Sequence, residues 1–402
     1  MIHQPCQILL IGVGGYAHFY IEALRKFEQL GICQLAAIID PCPEKAVDWP
    51  YLKERGLPQY ASVEAFVDDP VAVDLAVIAS PISFHAQQAC ALLKAGINVL
   101  CEKPIAATLE EVADMKAARD ESGKFLEIAY QWTFSSAMQQ LKADVLKGAL
   151  GKPEKLLTRV AWPRSSAYYN RNNWAGKIHN AQGRPVYDSP VNNATAHYLH
   201  NMLFVLGKEQ HLSASPTAVT AECYRANAIE NYDTACCKIE TLENADIYFY
   251  TTHATETAEG PIFRYIFEAA EVHFTHGSDI VAHFKNGTQK TYGNPDVDRM
   301  LKLQICAERC SNALPQNDIC GVEAASAHTL CVDALQRVPV QTIDSTYLHS
   351  KSLGEGETLI YVDQMESIIR EAYEHGQLFN EQNLAWAGVA TRVSLLDSLS
   401  NR

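Results

Sequence analysis

The sequence predicts an α/β protein in two parts: an N-terminal doubly wound parallel sheet, then an α+β domain with an open, mostly antiparallel sheet. As far as residue 130, short apolar runs without alternation, typical of buried parallel strands, alternate with helical segments. Beyond residue 130 the strand signals are longer and turn residues separate them, which favours antiparallel pairing. We therefore place the domains at 1–130 and 131–402.

The first strand, 8–11, leads into a glycine turn, Gly12-Val13-Gly14-Gly15-Tyr16-Ala17. Gly12 can make the tight turn, Gly14 lets the backbone approach a pyrophosphate, and Ala17 allows close packing of the following helix. A phosphate would bind at the N-terminus of that helix. This arrangement predicts a dinucleotide-binding Rossmann domain.

The helix after the turn is predicted over residues 16–30. Four apolar residues recur on one of its faces: Phe19, Ala23, Phe27 and Leu30. The next strand, 35–39, ends at Asp40, where an acid can accept hydrogen bonds from the adenosine ribose. Asp40 would repel the 2′-phosphate of NADP, and Pro41-Cys42-Pro43 supplies no cation, so NAD is favoured over NADP.

The remaining elements follow the same reasoning. Strands of the first part are predicted at 59–61, 73–79, 98–101 and 125–130, with helices from 62, from 83 and over 108–122. Strands of the second part are predicted at 154–162, 217–226, 234–240, 246–253, 263–274 and 280–284. Its helices are predicted at 189–206, 299–314, 321–335 and 363–375, and residues 360–373 look helical. Residues 386–399 are expected to pack across the sheet or a neighbouring subunit.

Composition excludes several classes of function. The net charge of −14 opposes binding to nucleic acid and to anionic membranes. No apolar stretch is long enough for a membrane span and the N-terminus lacks a signal-peptide pattern, so we expect a cytoplasmic protein. The twelve cysteines are scattered without a C-x-x-C pair, which favours buried thiols over a metal site.

Two stretches of the second part carry candidate site residues. On the helix predicted from Ser189, a polar stripe at i, i+4, i+7 and i+8 could face a hydroxylated ligand or solvent; its members are Asn193, His197, His200 and Asn201. Residues 162–177 mix aromatic rings with amides and guanidinium groups. Such a mixture suits a sugar, although the rings could equally pin the loop to the sheet.

Together these residues resemble the glucose-fructose oxidoreductase and inositol dehydrogenase family. The motifs that carry the resemblance are the glycine turn, Asp40, Pro81 with His85, Glu102-Lys103-Pro104, and the helix bearing Asn193 and His197. The resemblance implies a nucleotide domain followed by an open α/β domain whose sheet often forms subunit contacts, hence a homodimer or homotetramer. It also implies that Lys103 contacts the substrate hydroxyl and the nicotinamide ribose, with His197 as acid/base.

We thus predict two catalytic residues, Lys103 and His197, which should meet above one nicotinamide ring. Predicted cofactor contacts are Gly12, Gly14, Gly15, Tyr16, Ala17, Asp40, Ser80, Pro81, His85, Glu102, Lys103 and Gln131. Predicted substrate contacts are Asn193, Asp188, Trp174, Tyr169, Arg171 and His200. No metal is expected.

Two departures from the family pattern bear on the chemistry. Asn193 stands where the family commonly has aspartate, and a neutral amide cannot stabilise an imidazolium by charge. Asp188 is our candidate for that charge. Thr133 stands where the family often has arginine.

The predicted function is reversible hydride transfer between NAD and a secondary CH–OH of a sugar, sugar derivative or polyol. One alternative is an NAD-dependent glycoside hydrolase that works by transient oxidation, for which Asp188, Tyr187 or His253 could be the additional base. Another is a catalytically silent NAD- or sugar-binding regulator. The sequence leaves open which sugar or polyol is used, which carbon is oxidised, and the direction of the reaction.

Overall fold

A computed structural model describes residues 4–311 and 318–396. Contacts within the chain divide it into two compact units. The first contains residues 1–135 and 298–326, and the second contains residues 136–297 and 327–402. Residues 298–326, which the sequence assigns to the second domain, are therefore grouped with the first unit.

The described residues form the following regular elements. The strands are β1 (Cys6–Ile11), β2 (Cys33–Ile39), β3 (Gln59–Tyr60), β4 (Leu75–Ile78), β5 (Asn98–Cys101), β6 (Leu126–Ile128), β7 (Pro153–Ala161), β8 (Pro216–Arg225), β9 (Thr234–Thr241), β10 (Asp246–Thr252), β11 (Glu259–Phe267), β12 (Ala270–Thr275), β13 (Ile280–Phe284), β14 (Gln289–Gly293), β15 (Val340–Thr342), β16 (Leu348–Gly354), β17 (Glu357–Val362) and β18 (Thr391–Ser394). The α-helices are α1 (Ala17–Gln29), α2 (Trp49–Glu54), α3 (Val63–Asp68), α4 (His85–Lys94), α5 (Leu109–Ser122), α6 (Ser136–Leu146), α7 (Ser166–Asn170), α8 (Ala196–Leu206), α9 (Leu301–Cys310), α10 (Val322–Gln336) and α11 (Met365–His375). The predicted end of the helix at residue 314 lies outside the described residues.

The first unit is built on a six-stranded parallel sheet in the order β3-β2-β1-β4-β5-β6. The order reverses between β1 and β4, which is where ligands bind in doubly wound sheets. β4 is buried along its whole length, as expected for a parallel strand covered on both faces. The predicted doubly wound parallel sheet is confirmed.

The predicted apolar face of α1 is correct at Ala23 and Phe27, which are buried, and wrong at its other two members. Phe19 is 37% exposed and Leu30 63% exposed, while Tyr20, Ile21 and Leu24 are buried. Two overlapping stripes of this helix have similar hydrophobicity, so periodicity alone does not choose between them. Tyr20 has a specific buried partner, because its hydroxyl donates to Glu102 at 2.7 Å.

Residues 298–326 are attached to the sheet of the first unit at β6. The Arg309 guanidinium forms a buried ion pair with Glu127, whose side chain is fully buried. The backbone N–H groups of Ile319 and Cys320 also donate to the Glu127 carboxylate, at 3.0 and 2.7 Å. Ile128 N–H in turn donates to the Cys320 carbonyl at 2.8 Å. Burial raises the pKa of Glu127 to about 7, although Arg309 acts in the opposite direction.

The second unit contains a ten-stranded sheet in the order β14-β13-β12-β11-β7-β10-β9-β8-β15, with β18 also paired to β8. Two pairs are parallel, β7 with β10 and β8 with β15, and the others are antiparallel. The predicted open, mostly antiparallel sheet is confirmed.

Two predicted elements of this unit are wrong. The strand predicted over 263–274 is a hairpin of β11 and β12, which turns at residues 268–269 without a glycine, proline or asparagine to signal it. The helix predicted over 360–373 is wrong at its start, because residues 360–362 belong to β17 and the helix begins at Met365. Within the described residues, no helix is both long enough and apolar enough to cross a membrane.

Candidate functional site

The glycine turn follows β1 in the first unit. Gly12 has a φ of +77°, and a Cβ there would lie 2.9 Å from the backbone nitrogen of Ser80, so this position accepts only glycine without rearrangement. At Gly14 and Gly15, by contrast, an added Cβ would meet no described atom within 4 Å. The turn is therefore packed against the end of β4 on one side and open on the other, where α1 begins at Ala17. An open turn at a helix N-terminus can accept a diphosphate on its N–H groups.

Asp40 closes this turn from the end of β2. Its Oδ2 accepts from the N–H of Val13 at 3.0 Å, and its Oδ1 accepts from the N–H of Cys42 at 2.8 Å. The sequence did not anticipate these two contacts, which fix the carboxylate beside the glycine turn. Because an ionised carboxylate offers about four acceptor positions, Asp40 can still accept from a ribose hydroxyl.

His85 connects the ends of two neighbouring strands. Its ring nitrogens lie 2.9 Å from the Ser80 carbonyl after β4 and 2.9 Å from the Pro104 carbonyl after β5. The side chain is buried, and burial lowers the pKa of His85, although the hydrogen bonds to the two carbonyls act in the opposite direction. His85 thus positions the backbone of both strand ends, and its direct contact with a cofactor stays a prediction.

Glu102 of the Glu-Lys-Pro motif holds the start of the turn that carries Lys103. Glu102 Oε1 accepts from Tyr20 and from the Lys302 ammonium, and its Oε2 accepts from the backbone N–H of Lys103 at 3.2 Å. The Lys103–Pro104 peptide is cis, which the sequence could not decide. Glu102 therefore holds the backbone at Lys103.

Lys302 is the residue of this site that the sequence reasoning missed. It is fully buried in α9, and its ammonium lies 4.9 Å from the ring centres of both Tyr16 and Tyr20. Burial lowers the pKa of Lys302, and the neighbouring Glu102 opposes that shift. The sequence did contain a signal for this site. Lys302 and Arg309 lie on the buried side of one helix, and buried cations usually form ion pairs.

Replacing Lys302 by methionine is expected to lower the free energy of unfolding by about 2–3 kcal/mol, because Glu102 would keep its burial but lose its cation. Chemical denaturation measures this change. Lys116→Met is the matched control, since its ion pair with Glu323 is 3.9 Å long and the lysine is 45% exposed; it should cost less than about 0.5 kcal/mol. Equal losses in the two variants would contradict a buried pair at Lys302.

In the second unit, the predicted helix over 189–206 begins only at Ala196. Residues 189–195 form successive turns instead. Ser189 accepts from the N–H of Asn192 at 3.2 Å, as a capping serine does, but its hydroxyl also donates to Tyr232 at 3.1 Å. The local Ser-Pro signal is thus followed by turns, and one of the contacts of Ser189 is to a residue 43 positions away.

The predicted polar stripe is divided by this later start. Asn193 lies in the turns, while His197 lies half-buried in the first turn of α8. His200 and Asn201 are buried: the ring of His200 stacks on Phe204, and Asn201 donates to the Tyr265 hydroxyl at 2.9 Å. Only the first two members of the stripe are therefore partly accessible within this unit.

Asp188 lies next to Asn193. Its Oδ1 accepts from the Asn193 amide at 2.7 Å, and its Oδ2 accepts from the N–H of Gly176 at 2.7 Å. The guanidinium of Arg171 lies 3.9 Å from the same carboxylate. Asp188 is buried and contacts Asn193 directly, and its role in supporting a charge on His197 stays a prediction.

The aromatic loop is held together by stacked cations. The Arg171 guanidinium lies 3.6 Å from the ring centre of Tyr168 and 5.2 Å from that of Trp174. Arg164 lies 4.7 Å from the same Tyr168 ring. The loop thus presents aromatic rings beside two fixed positive charges. This arrangement is compatible with both hypotheses from the sequence, a sugar-binding loop and a loop pinned to the sheet by its rings.

A narrow crevice opens beside this loop. Its lining includes Tyr168, Tyr169, Asp188 and His253. His253 is buried, its Nδ1 donates to the Trp162 carbonyl at 2.9 Å, and burial lowers its pKa to about 3. The Nε2 atom of His253 therefore carries a lone pair. Within the described part of the chain, neither this Nε2 atom nor the hydroxyl of Tyr169 has a hydrogen-bond partner.

Comparisons with known proteins support the prediction of a nucleotide-binding domain. Residues 6–130 match the model of an oxidoreductase family with an NAD-binding Rossmann fold. The chain is 34% identical to 1,5-anhydro-D-fructose reductase of Ensifer adhaerens over 26% of this chain and 31% of the relative. It is 30% identical to D-glucoside 3-dehydrogenase of Escherichia coli over 35% of this chain and 39% of the relative. It thus spans about a third of the length of these relatives.

Among solved structures, the WlbA dehydrogenase of Bordetella pertussis in complex with NADH and UDP-GlcNAcA has the same fold. The TM-score is 0.66 at 20% sequence identity, over 83% of this chain and 96% of that one. The glycine turn, the acid after β2 and the Glu-Lys-Pro motif lie inside or at the edge of the matched Rossmann region. The N-terminal part of the chain, residues 6–130, is therefore similar to the NAD-binding Rossmann domain of this oxidoreductase family.

Proposed function

We propose that this protein is an NAD-dependent oxidoreductase that acts on a secondary CH–OH of a sugar, sugar derivative or polyol. One observation carries the proposal: Gly12, Ser80 and Lys103 follow the carboxyl ends of three adjacent parallel strands, β1, β4 and β5. Residues at those ends share one edge of the sheet, so a nucleotide bound at the glycine turn extends towards the lysine.

The chain would hold NAD through the N–H groups of the glycine turn and the carboxylate of Asp40. The space left open at Gly14 and Gly15 fits a diphosphate, and the fixed carboxylate fits a ribose diol. When bound, the nicotinamide supplies a hydride acceptor for alcohol oxidation and a hydride donor for ketone reduction.

The two catalytic residues then have separate tasks. In the oxidation direction, neutral His197 takes the hydroxyl proton while the carbinol carbon loses a hydride, so that an alcohol becomes a ketone. Protonated Lys103 stabilises the negative charge that develops on the oxygen. Asp188, through the amide of Asn193, is the acid we assign to support the positive charge of His197.

Carbohydrate chemistry is supported by the second unit and by the relatives. The aromatic rings and the two unpartnered acceptor or donor groups of the crevice suit a hydroxylated ring. One relative is named as a dehydrogenase of D-glucosides at position 3, so C3 is the carbon to test first.

A ligand screen tests the proposal. We expect NAD and at least one sugar or polyol to raise the melting temperature of the purified protein, and that sugar to produce absorbance at 340 nm with NAD. Release of a glycosidic leaving group without net NADH would support the hydrolase alternative. Tight NAD binding without turnover across the panel would support the regulator.

The Asp40 carboxylate is expected to set the choice of nucleotide. Asp40→Ser should weaken NAD binding by about tenfold and narrow the preference for NAD over NADP, because the charge that repels a 2′-phosphate is removed. Isothermal titration with both nucleotides measures the change. Asp40→Asn removes the charge but keeps one oxygen, which can accept from either Val13 or Cys42, so its comparison with Asp40→Ser separates repulsion from damage to the turn. An unchanged ratio of affinities in both variants would remove Asp40 from nucleotide selection.

We further propose that the protein is a homodimer or homotetramer, as the family resemblance implies, and that it acts in the cytoplasm. Light scattering coupled to size-exclusion chromatography distinguishes the two from a monomer.

A further inference from the structure

The crevice of the second unit is lined in part by the connection between β8 and β9, which carries Ile229 and Tyr232, and in part by two further loops. One follows β7 and carries Tyr168 and Tyr169, and the other follows β10 and carries His253. β7 and β10 are parallel neighbours, so both loops leave the same end of the sheet. Beyond the strands, Arg164 N–H donates to the His253 carbonyl at 3.1 Å, which ties the loops to each other at their roots.

The first loop is also tied to the strand β17, nearly 200 residues later in the sequence. The Ser165 hydroxyl donates to the carboxylate of Glu357, and the N–H of Thr358 donates to the Ser166 hydroxyl at 3.0 Å. Ser165 also forms an antiparallel bridge with Leu359. These contacts lie at the start of α7, the short helix that presents both tyrosines.

The second loop is tied to the same C-terminal segment. The N–H of Val362 donates to the carbonyl of Ala254, directly after His253, at 3.1 Å. Glu366, in the first turn of α11, accepts from the backbone N–H of Thr257 at 2.8 Å and from the hydroxyls of Thr255 and Thr257. Partial burial opposes ionisation of Glu366, but these hydrogen bonds outweigh it and hold its pKa below the usual value.

The C-terminal segment itself is anchored to the sheet. Met365, Ile369 and Tyr373 of α11 are buried in one apolar cluster with Leu157 of β7 and Tyr250 of β10. The Tyr250 hydroxyl donates to the Ala372 carbonyl at 3.0 Å. The segment is thus a fixed part of the core, so it can hold the loops rather than follow them.

We infer that β17 and the first turn of α11 position the two crevice loops, with Glu366 as the principal positioning residue, and so determine how tightly the second unit binds a hydroxylated ligand. Glu366 contacts loop atoms rather than the crevice. Its effect therefore falls on ligand affinity, through Tyr168, Tyr169 and His253, and not on the hydride-transfer step. The inference concerns the substrate side of the proposed function and rests on it.

The test compares Glu366→Ala with Glu366→Gln and with Glu371→Ala, an exposed glutamate of the same helix. In Glu366→Ala, loss of a charged acceptor should raise KM for the sugar found in the screen by about tenfold, while kcat stays within about twofold. Glu366→Gln keeps an oxygen for Thr257 and should restore most of the affinity. Glu371→Ala should behave as the parent protein.

A second readout does not depend on activity. In protein labelled at histidine rings, the His253 signal, assigned with His253→Gln, should move in Glu366→Ala, whereas the signal of His85 in the first unit should stay in place. If Glu366→Ala is too unstable to study, Ser166→Ala loosens the other loop and should raise KM in the same way.

The outcomes separate the two proposals. A His253 signal that does not move in Glu366→Ala, or an equal fall in kcat, overturns the positioning role. A moved signal in a protein that binds no sugar supports the positioning role while removing the proposed substrate class.

Discussion

Lys103→Ala is expected to lower kcat by about 100- to 1,000-fold while the Kd for NAD changes by less than about threefold. The reason is that the ammonium is needed only when negative charge develops on the substrate oxygen. The turn that carries it is held independently, by Glu102 at its start and by His85 at Pro104. Steady-state kinetics together with titration of NAD measure the two quantities separately.

Lys94→Ala provides the matched control, because this lysine is exposed in the last turn of α4, in the same unit. It should leave both quantities unchanged. An intact kcat in Lys103→Ala would remove this lysine from the chemistry, and a loss of NAD binding alone would leave it only the predicted contact with the cofactor.

Arg309→Met is expected to lower the free energy of unfolding by about 3–5 kcal/mol. Glu127 would stay fully buried, with two backbone N–H donors but no cation. The pKa of Glu127 is already raised to about 7 by burial, and loss of Arg309 removes an opposing influence. Denaturant titration at several pH values measures the effect.

The pH dependence identifies the cause. A buried carboxyl with a raised pKa stays protonated in the folded state after the unfolded chain has ionised, so stability falls as pH rises through and above the usual value for glutamate. Because the parent protein shares this loss up to about pH 7, the deficit of Arg309→Met should grow above pH 7, where Glu127 ionises in the parent but not in the variant. Adding Glu127→Gln should remove that growth, whereas a deficit that is constant over this range would exclude the buried carboxylate as its source.

The nucleotide turn could be predicted because its determinants are local. Gly12 to Ala17 and Asp40 occupy one strand–helix–strand unit, and each residue type has a backbone or charge reason to be there. The ion pairs of Lys302 with Glu102 and of Arg309 with Glu127 could not be predicted, because the partners are 200 and 182 residues apart in the sequence. Periodicity shows only which side of a helix is buried, not which distant carboxylate it meets.

The second unit shows the same limit at its candidate site. Ser189 followed by Pro190 is a sound local signal for a helix start, yet the helix begins at Ala196. Asp188 instead accepts a hydrogen bond from the N–H of Gly176, and the Ser189 hydroxyl donates to Tyr232. Such tertiary contacts outweigh a local preference of about 1 kcal/mol. The crevice also depends on contacts between distant residues, so no sequence motif predicts it.

The attachment of residues 298–326 to β6 has a consequence for biosynthesis. These residues leave the ribosome only after the whole stretch from 136 to 297. Until then the N-terminal part of the nascent polypeptide carries two carboxylates, Glu102 and Glu127, whose cations have not yet been made. The portion translated first is therefore among the last to reach its mature form.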